Sequence, residues 1–420
     1  MSILVRQAII KDINSPHYNK VKDIFIVDGI IKEIGDTISL QADHIIEYPG
    51  IHVSPGWVDV FITGTDPGYE FKDTLDTTSA SAAQGGFTHL FLAPNTQPVV
   101  QNKSTVDYIS GKQLTSPVQL HPLGAVTKNT EGQELTEMHD MKASGAIAFS
   151  DGTKAIQSSG LLIKALQYVS AFDGIIIQIP DDKSIAPHGL MHEGIVSTQI
   201  GLPGKPALAE EIMVSRDIAL AKYTGSRIHL TGISLASSID MIREAKQGGV
   251  KITCSCTPYH LLFNHEELLK GYNTNLKVNP PLRSESDRKA LINGVKDGII
   301  DCITTHHTPQ HKDAKVCEYE YAGYGMLGLE SVLGLLNSVG LSEDEILRCI
   351  CYNPRHIFNL GTSIGLGNVA DLTVYHCDEN YHFIQENIKS KSSNSPYLDM
   401  ELKGRAVATV LGNKINMNLK

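Results

Sequence analysis

The fold this sequence predicts is α/β: a (β/α)8 TIM-like barrel of eight parallel strands, joined to a small β-domain made from the two chain ends. Three observations point to it. Eight short apolar runs alternate with helical stretches between residues 57 and 306, the pattern that builds parallel sheets. The runs end in polar residues, as barrel strands do where they meet their C-terminal loops. Strand-like sequence flanks the alternating region on both sides. An open doubly wound sheet is the rival, but eight runs with polar C-terminal ends favour closure.

The opening residues read as short strands, ILVRQAII (3–10) and DIFIVDGIIKEIG (23–35), the second turning at Asp28-Gly29. The barrel runs are WVDVFI (57–62), THLFLAP (88–94), VQLHPLG (118–124), GAIAFSD (145–151), IIIQIP (175–180), RIHLTG (227–232), KITCSC (251–256) and DCITTH (301–306). Helical patterns lie between them at 74–86, 159–172, 207–225, 234–249 and 284–298, with two more at 326–340 and 344–353. ADLTVYH (370–376) and GRAVATVLGNKIN (404–416) then supply partners for the N-terminal strands. Residues 54–365 are therefore assigned to the barrel, and 1–53 with 366–420 to the β-domain. ENIKSKSSNSP (386–396) is polar and reads as a mobile connection.

Composition narrows the function. The net charge of −10, from 46 acidic and 36 basic residues, argues against nucleic acid or an anionic membrane as main partner, since both need basic patches. The first twenty residues lack a signal-peptide core and cleavage site, and no apolar stretch approaches the ~20 residues of a membrane helix. Seven cysteines in 420 residues do not make a disulfide framework. The pairs Cys254/Cys256 and Cys349/Cys351 are read as packed thiols, with metal binding as the alternative. A reducing cytoplasm is the expected setting.

The stretch PGWVDVFITGTDPGYEFKD (55–73) poses the chemical question. It has the wrapping of a metal-hydrolase strand, a Pro-Gly turn before an apolar run that ends in a polar turn. A His-x-His pair there would put two imidazoles on one side, because strand side chains alternate. The two positions hold Phe61 and Thr63.

Long segments of the chain resemble the dihydroorotases of the amidohydrolase superfamily, specifically the class related to the dihydroorotase domain of multifunctional pyrimidine enzymes. They include SPGWVDV, DPGYEFKDTLDTTSASAAQGGFTHLFLAPNTQPV, GLPGKPALAEE, KVNPPLR, GMLGLES, NPRHIFNLG and GNVADLTV. The resemblance implies a barrel with a β-sandwich of the chain ends, zinc as cofactor, and reversible cyclisation of carbamoyl-aspartate to dihydroorotate. Carried over residue by residue, it places the first zinc histidines at Phe61 and Thr63 and the bridging carboxylate at Asp151. Later histidines fall at Gln178 and Gly232, and the catalytic aspartate at His306. Only Asp151 keeps its type. Phenyl and glycine cannot ligate zinc, and threonine is a poor substitute for imidazole. The arginine that would hold the substrate carboxylate is Thr65, which offers neither its charge nor its paired donors. Asn95, Asn279 and His306 remain as candidate substrate contacts, with turn-building the alternative for the two asparagines.

Other histidines offer partial substitutes. His260, His307 and His311 lie near strand ends, and His229 reads as a packed barrel histidine. Neighbours His306 and His307 point to opposite faces and cannot share one metal from regular strand geometry. A displaced site from His306, Asp151 and one further residue is the alternative. Metal lowers the pKa of bound water from ~15.7 to ~7, roughly 12 kcal/mol of proton-loss cost, which a lone general base worth about 10²–10⁴-fold does not replace.

The sequence is therefore read as a homologue without catalytic residues and without a cofactor, retained for structure. Inactive homologues in the family hold aspartate transcarbamoylase in a complex, so that enzyme is the partner the resemblance implies, alongside self-association. Two further readings stand beside it: an active dihydroorotase or related cyclic-amide hydrolase with a rebuilt metal site, and a metal-free small-molecule binder.

Overall fold

The structure, a computed structural model, describes residues 1–361 and 363–418. Eight parallel strands follow the apolar runs: β1 (Trp57–Ile62), β2 (Phe87–Leu92), β3 (Gln119–Gly124), β4 (Ala148–Phe149), β5 (Ile175–Gln178), β6 (Arg227–Thr231), β7 (Ile252–Cys256) and β8 (Cys302–Ile303). They pair side by side in chain order, the order of a barrel, whereas a doubly wound sheet reverses at a switch point. The ladder stops between β8 and β1, and other groups close the seam. Thr63 N–H donates to the His307 carbonyl (3.0 Å). The buried Asp59 carboxylate of β1 accepts from Thr305 N–H (2.9 Å), Thr305 Oγ1 (2.5 Å) and the Thr304 hydroxyl.

Helices cover the barrel. Leu75–Gly85 starts on a capping box between Thr74 and Thr77. Lys103–Gly111 was not visible as a helical pattern, because it buries only Val106 and Ile109, too few apolar positions to set a period.

The first and last segments share one sheet. Asp371–His382 pairs antiparallel with His52–Pro55, which pairs in turn with Ser2–Ile10. Glu401–Leu411 and Lys414–Met417 extend one side, and Val21–Val27 and Ile30–Gly35 the other. Its own apolar core includes Ile3, Val53, Leu372 and Val410. The chain passes from sheet to barrel through Gly56, where a Cβ would lie 2.0 Å from Thr88 Oγ1 and 2.1 Å from Asp371 Oδ1. Only glycine fits that junction.

Two segments bring the barrel mouth its walls. After β5 the chain makes a parallel mini-sheet of Met191–His192 with Gly204–Lys205 before the helix Leu208–Thr224. The polar segment 386–396, expected to be mobile, is instead pinned. Ser390 Oγ donates to Asp73 Oδ2 (2.8 Å), Ser392 Oγ to the Lys72 carbonyl (2.8 Å) and Asn394 Nδ2 to the Thr308 carbonyl (3.0 Å). Its polarity serves the barrel loops rather than solvent. Among the described residues, no helix is long and apolar enough to cross a membrane. The seven cysteines are unpaired, and neither Cys-x-Cys pair gathers a third metal-competent side chain among the described residues.

Candidate active site

A cavity of about 530 Å³ opens at the C-terminal ends of the strands, where barrel chemistry is placed. Phe61, Thr63, Ile179, Asn279, His306 and Thr308 contribute to its lining. Two of the three expected substrate contacts, Asn279 and His306, are therefore brought together. Asn95 is not. Its Nδ2 donates to the Asp151 carbonyl (3.0 Å) and its Oδ1 accepts from Thr153 N–H (2.8 Å), so it shapes the loop after β4 and faces a separate recess beside Tyr69 and Lys154.

His306 is the best-defined side chain of the mouth. Its backbone sits at φ 45°, an uncommon conformation for a residue with a Cβ. The ring packs against Phe61, centroids 4.8 Å apart, and Nε2 shares a hydrogen bond with Thr231 Oγ1 (2.8 Å). Ser255 Oγ donates to Thr231 Oγ1 (2.8 Å) and shares a hydrogen bond with His229 Nε2 (3.0 Å). Thr231 Oγ1 thus joins His306, Ser255 and His229 in one chain of hydrogen bonds. Burial pushes both His306 and His229 down to about 3, so both are neutral near pH 7. Gly232 completes the arrangement. At φ +75°, a Cβ there would lie 2.9 Å from His306 Cε1. The residue absent from one expected ligand position makes room for the residue that occupies another.

The six positions that the resemblance assigns to zinc do not fit it. Phe61 and Gly232 offer no donor. Thr63 Oγ1 is hydrogen-bonded to Thr308 Oγ1 (2.7 Å). The Gln178 amide lies between the Ile156 backbone and Arg216, its oxygen placed to accept from Arg216 (3.2 Å) and Ile156 N–H (3.2 Å). Asp151, the one retained ligand type, accepts from Thr127 N–H (2.8 Å) and Thr127 Oγ1 (2.5 Å). Burial raises it to about 6, and it does not line the cavity. The proposed displaced site with His306 is therefore not assembled. His260 is also committed, to Thr257 Oγ1 (2.9 Å) and the Pro280 carbonyl (3.1 Å). His311 stands exposed on the turn at Lys312–Ala314.

One metal-competent group does form elsewhere. His52, Glu343 and Cys377 bring three ligand atoms within 4.8 Å of one another, where the sheet meets the helix Glu343–Leu347. No local spacing announces it, since the three come from distant segments. Its carboxylate is already engaged by His52, Tyr375 (2.8 Å) and Lys11 (2.8 Å).

The far wall of the cavity carries charge. Lys205 Nζ lies 2.6 Å from Asp181 Oδ1 and donates to Asn279 Oδ1 (3.0 Å), while Asn279 Nδ2 donates to Asp181 Oδ2 (3.2 Å). Lys183 stands on the rim. Thr65, where an arginine was expected by resemblance, is buried and donates to the Asp73 carbonyl (2.8 Å).

Such a barrel, with a sheet of both chain ends and a cavity over the strand ends, is the fold of known cyclic-amide hydrolases. The L-hydantoinase (dihydropyrimidinase) of Arthrobacter aurescens superposes with a TM-score of 0.86 over 100% of this chain and 97% of that one, at 21% identity. A D-hydantoinase (dihydropyrimidinase) from Thermus sp. gives 0.83 over 99% and 95%, at 19% identity. The chain itself belongs to the dihydroorotase-like family. The profile of that family, Dihydro-orotase-like, matches residues 50–238. The dihydroorotase of Ruminiclostridium cellulolyticum is 39% identical over 98% of this chain and 97% of its own length, and that of Acetivibrio thermocellus 40% over 94% and 95%.

These relatives correct two expectations. Full-length kinship at 36–40% identity with proteins named dihydroorotase overturns the reading of a non-catalytic partner of aspartate transcarbamoylase. It favours the alternative of a working dihydroorotase or related hydrolase, and nothing in the comparisons points to lost function. The expectation of no cofactor falls with it, because zinc comes with the dihydroorotase resemblance and the structure gathers a metal-competent group at His52, Glu343 and Cys377. The departures at Phe61, Thr63, Gln178 and Gly232 are real, but they describe how this site differs, not that it has stopped.

Proposed function

We propose that this protein is a cyclic amidohydrolase of the dihydroorotase type, interconverting a cyclic amide and its ring-opened carbamoyl acid in the cavity at the barrel mouth. The observation that carries this reading is near-complete alignment with dihydroorotases at 39–40% identity. The cavity lies where barrel chemistry is done and is large enough for a six-membered ring acid. Phe61, Ile179 and Val278 supply apolar lining for the ring, and Asn279 and His306 supply neutral polar contacts. His306, held neutral near pH 7 by burial, hydrogen-bonds without carrying charge. Zinc, where the family holds it, polarises an amide carbonyl and activates water; the mouth residues here do not fit that ion, and no step is assigned through it.

The test is turnover. Purified protein, given dihydroorotate or carbamoyl-aspartate with chelator and again with added Zn²⁺, should interconvert them above an enzyme-free control. Folded protein that converts neither compound under either condition sinks the proposal.

A further inference from the structure

We propose that Lys205 is the anchor for the substrate's carboxylate, so that this cavity selects acid-bearing rings over neutral ones. The inference rests on the cyclic-amide reading of the same cavity and adds to it the residue that sets substrate class. A ring acid needs a cation in the site, and the position where the resemblance expects one holds Thr65, turned to the Asp73 carbonyl and buried. The cation stands on the opposite wall instead.

Lys205 is built for this role. An ammonium has three N–H donors. Asp181 Oδ1 and Asn279 Oδ1 take two of them, at 2.6 and 3.0 Å. The third has no protein acceptor among the described residues, and the side chain lines the cavity. Asn279 also donates to the second oxygen of Asp181 (3.2 Å), so the three side chains brace one another and fix the ammonium before any ligand arrives. Preorganisation of that kind strengthens binding by lowering the ordering cost. The lysine side chain is only 12% exposed, so little water screens it.

The balance of charge agrees. Lys183 and Lys205 face one carboxylate, Asp181, and the lining His306 is neutral at pH 7. The cavity is therefore cationic inside a protein of net charge −10, which favours an anionic ligand there. A lysine offers a point charge rather than a fork, so the contact it makes to a carboxylate is single and directional.

Orotate and uracil separate the roles cleanly. They share a ring and differ in the carboxylate, and neither is the substrate of ring opening. Isothermal titration of the full chain should show orotate binding at least about tenfold tighter than uracil, the range of a good charged contact. Lys205→Met should reduce that preference to about twofold or less, while Lys205→Arg keeps most of it. If Lys205→Met does not fold because Asp181 is left without its cation, the Asp181→Asn/Lys205→Met pair removes the stray charge and gives the same reading. Equal affinity for the two ligands in the native protein overturns the proposal, as does a preference that survives in a folded Lys205→Met variant. A carboxylate preference without turnover sinks the amidohydrolase reading and leaves the anchor; turnover without preference does the reverse.

Discussion

Histidines stand at both ends of the barrel, and the two ends use them differently. At the floor, His89 shares hydrogen bonds with Asp371 Oδ2 (2.8 Å) and with His121 (2.8 Å), and Arg355 reaches the same Asp371 oxygen (2.5 Å). His89, Asp371 and Arg355 are buried, and with His121 they tie β2 and β3 to the sheet of the chain ends. At the mouth, the neutral His306 and Lys205, with two of its three donors engaged, border a cavity. The floor uses charge to fasten two layers, and the mouth keeps a donor in reserve. The segments that carried the family resemblance divide along the same line. NPRHIFNLG contributes Arg355 and GNVADLTV contributes Asp371 to the floor, whereas GLPGKPALAEE and KVNPPLR contribute Lys205 and Asn279 to the mouth, beside the departures at Phe61 and Thr63.

The largest effect should come from breaking the floor. Burial opposes ionisation of Asp371, yet His89 and Arg355 hold it well below the usual carboxylate range. Asp371→Ala removes the shared partner and leaves the buried Arg355 guanidinium without its carboxylate, at a cost of about 3–5 kcal/mol. Urea denaturation measures this. A loss under about 1 kcal/mol would mean the floor is not what joins the layers.

At the mouth, the sharpest structural test is the fit of Gly232 against His306. Gly232→Ala forces a Cβ into the imidazole and onto a left-handed backbone, costing about 1–3 kcal/mol. In a His306→Ala background the ring is gone, and the penalty should fall by at least about 0.5 kcal/mol. Additive losses in the double-mutant cycle would show that the two positions do not compete for space.

Acid should weaken the buried imidazoles in a predictable direction. Burial holds His229 at about 3 against an ordinary 6.5, so below pH 6.5 the unfolded chain takes up a proton that the folded barrel refuses. The stability from this site is present above pH 6.5 and is lost as pH falls toward 3. Between pH 6.5 and 5 the loss is about 1.5 kcal/mol for one such group. His229→Gln removes that titration while keeping a hydrogen-bonding side chain, so its stability should fall less steeply over the same interval. Parallel denaturation profiles for the two proteins would refute the assignment.

Much of the barrel was legible because its signal repeats: eight apolar runs gave eight strands in order, and even GAIAFSD, which holds only the two-residue strand Ala148–Phe149, stands in its place. The mouth was legible in part, through Asn279 and His306, which line the cavity as expected, and otherwise as substitution. Phe61, Thr63 and Gly232 announce lost donors, but the collision that couples Gly232 to His306 depends on two positive φ angles and has no sequence period. Asn95 kept its expected type and turned to a loop carbonyl, since one residue's identity does not fix its direction. The Lys205–Asp181–Asn279 brace joins residues from separate segments after β5 and β7, and the pinned segment at 386–396 meets the mouth from the far end of the chain. Long-range pairing of polar groups leaves no local pattern to read.

The smallest expected effect separates the two lysines of the mouth. Lys183 is exposed on the rim, where a single charge is worth about 0.2–1 kcal/mol and salt screens it. Lys183→Ala should weaken orotate binding about two- to threefold in dilute buffer, and the difference should fade as salt is raised. Lys205, held by Asp181 and Asn279 inside the cavity, should keep its effect under the same salt, because little water or counterion reaches a braced ammonium. Titration of both variants at low and high ionic strength distinguishes steering at the rim from anchoring within. If Lys183→Ala matches Lys205→Met in size and in salt resistance, the carboxylate is held at the rim, and the brace around Lys205 serves the fold alone.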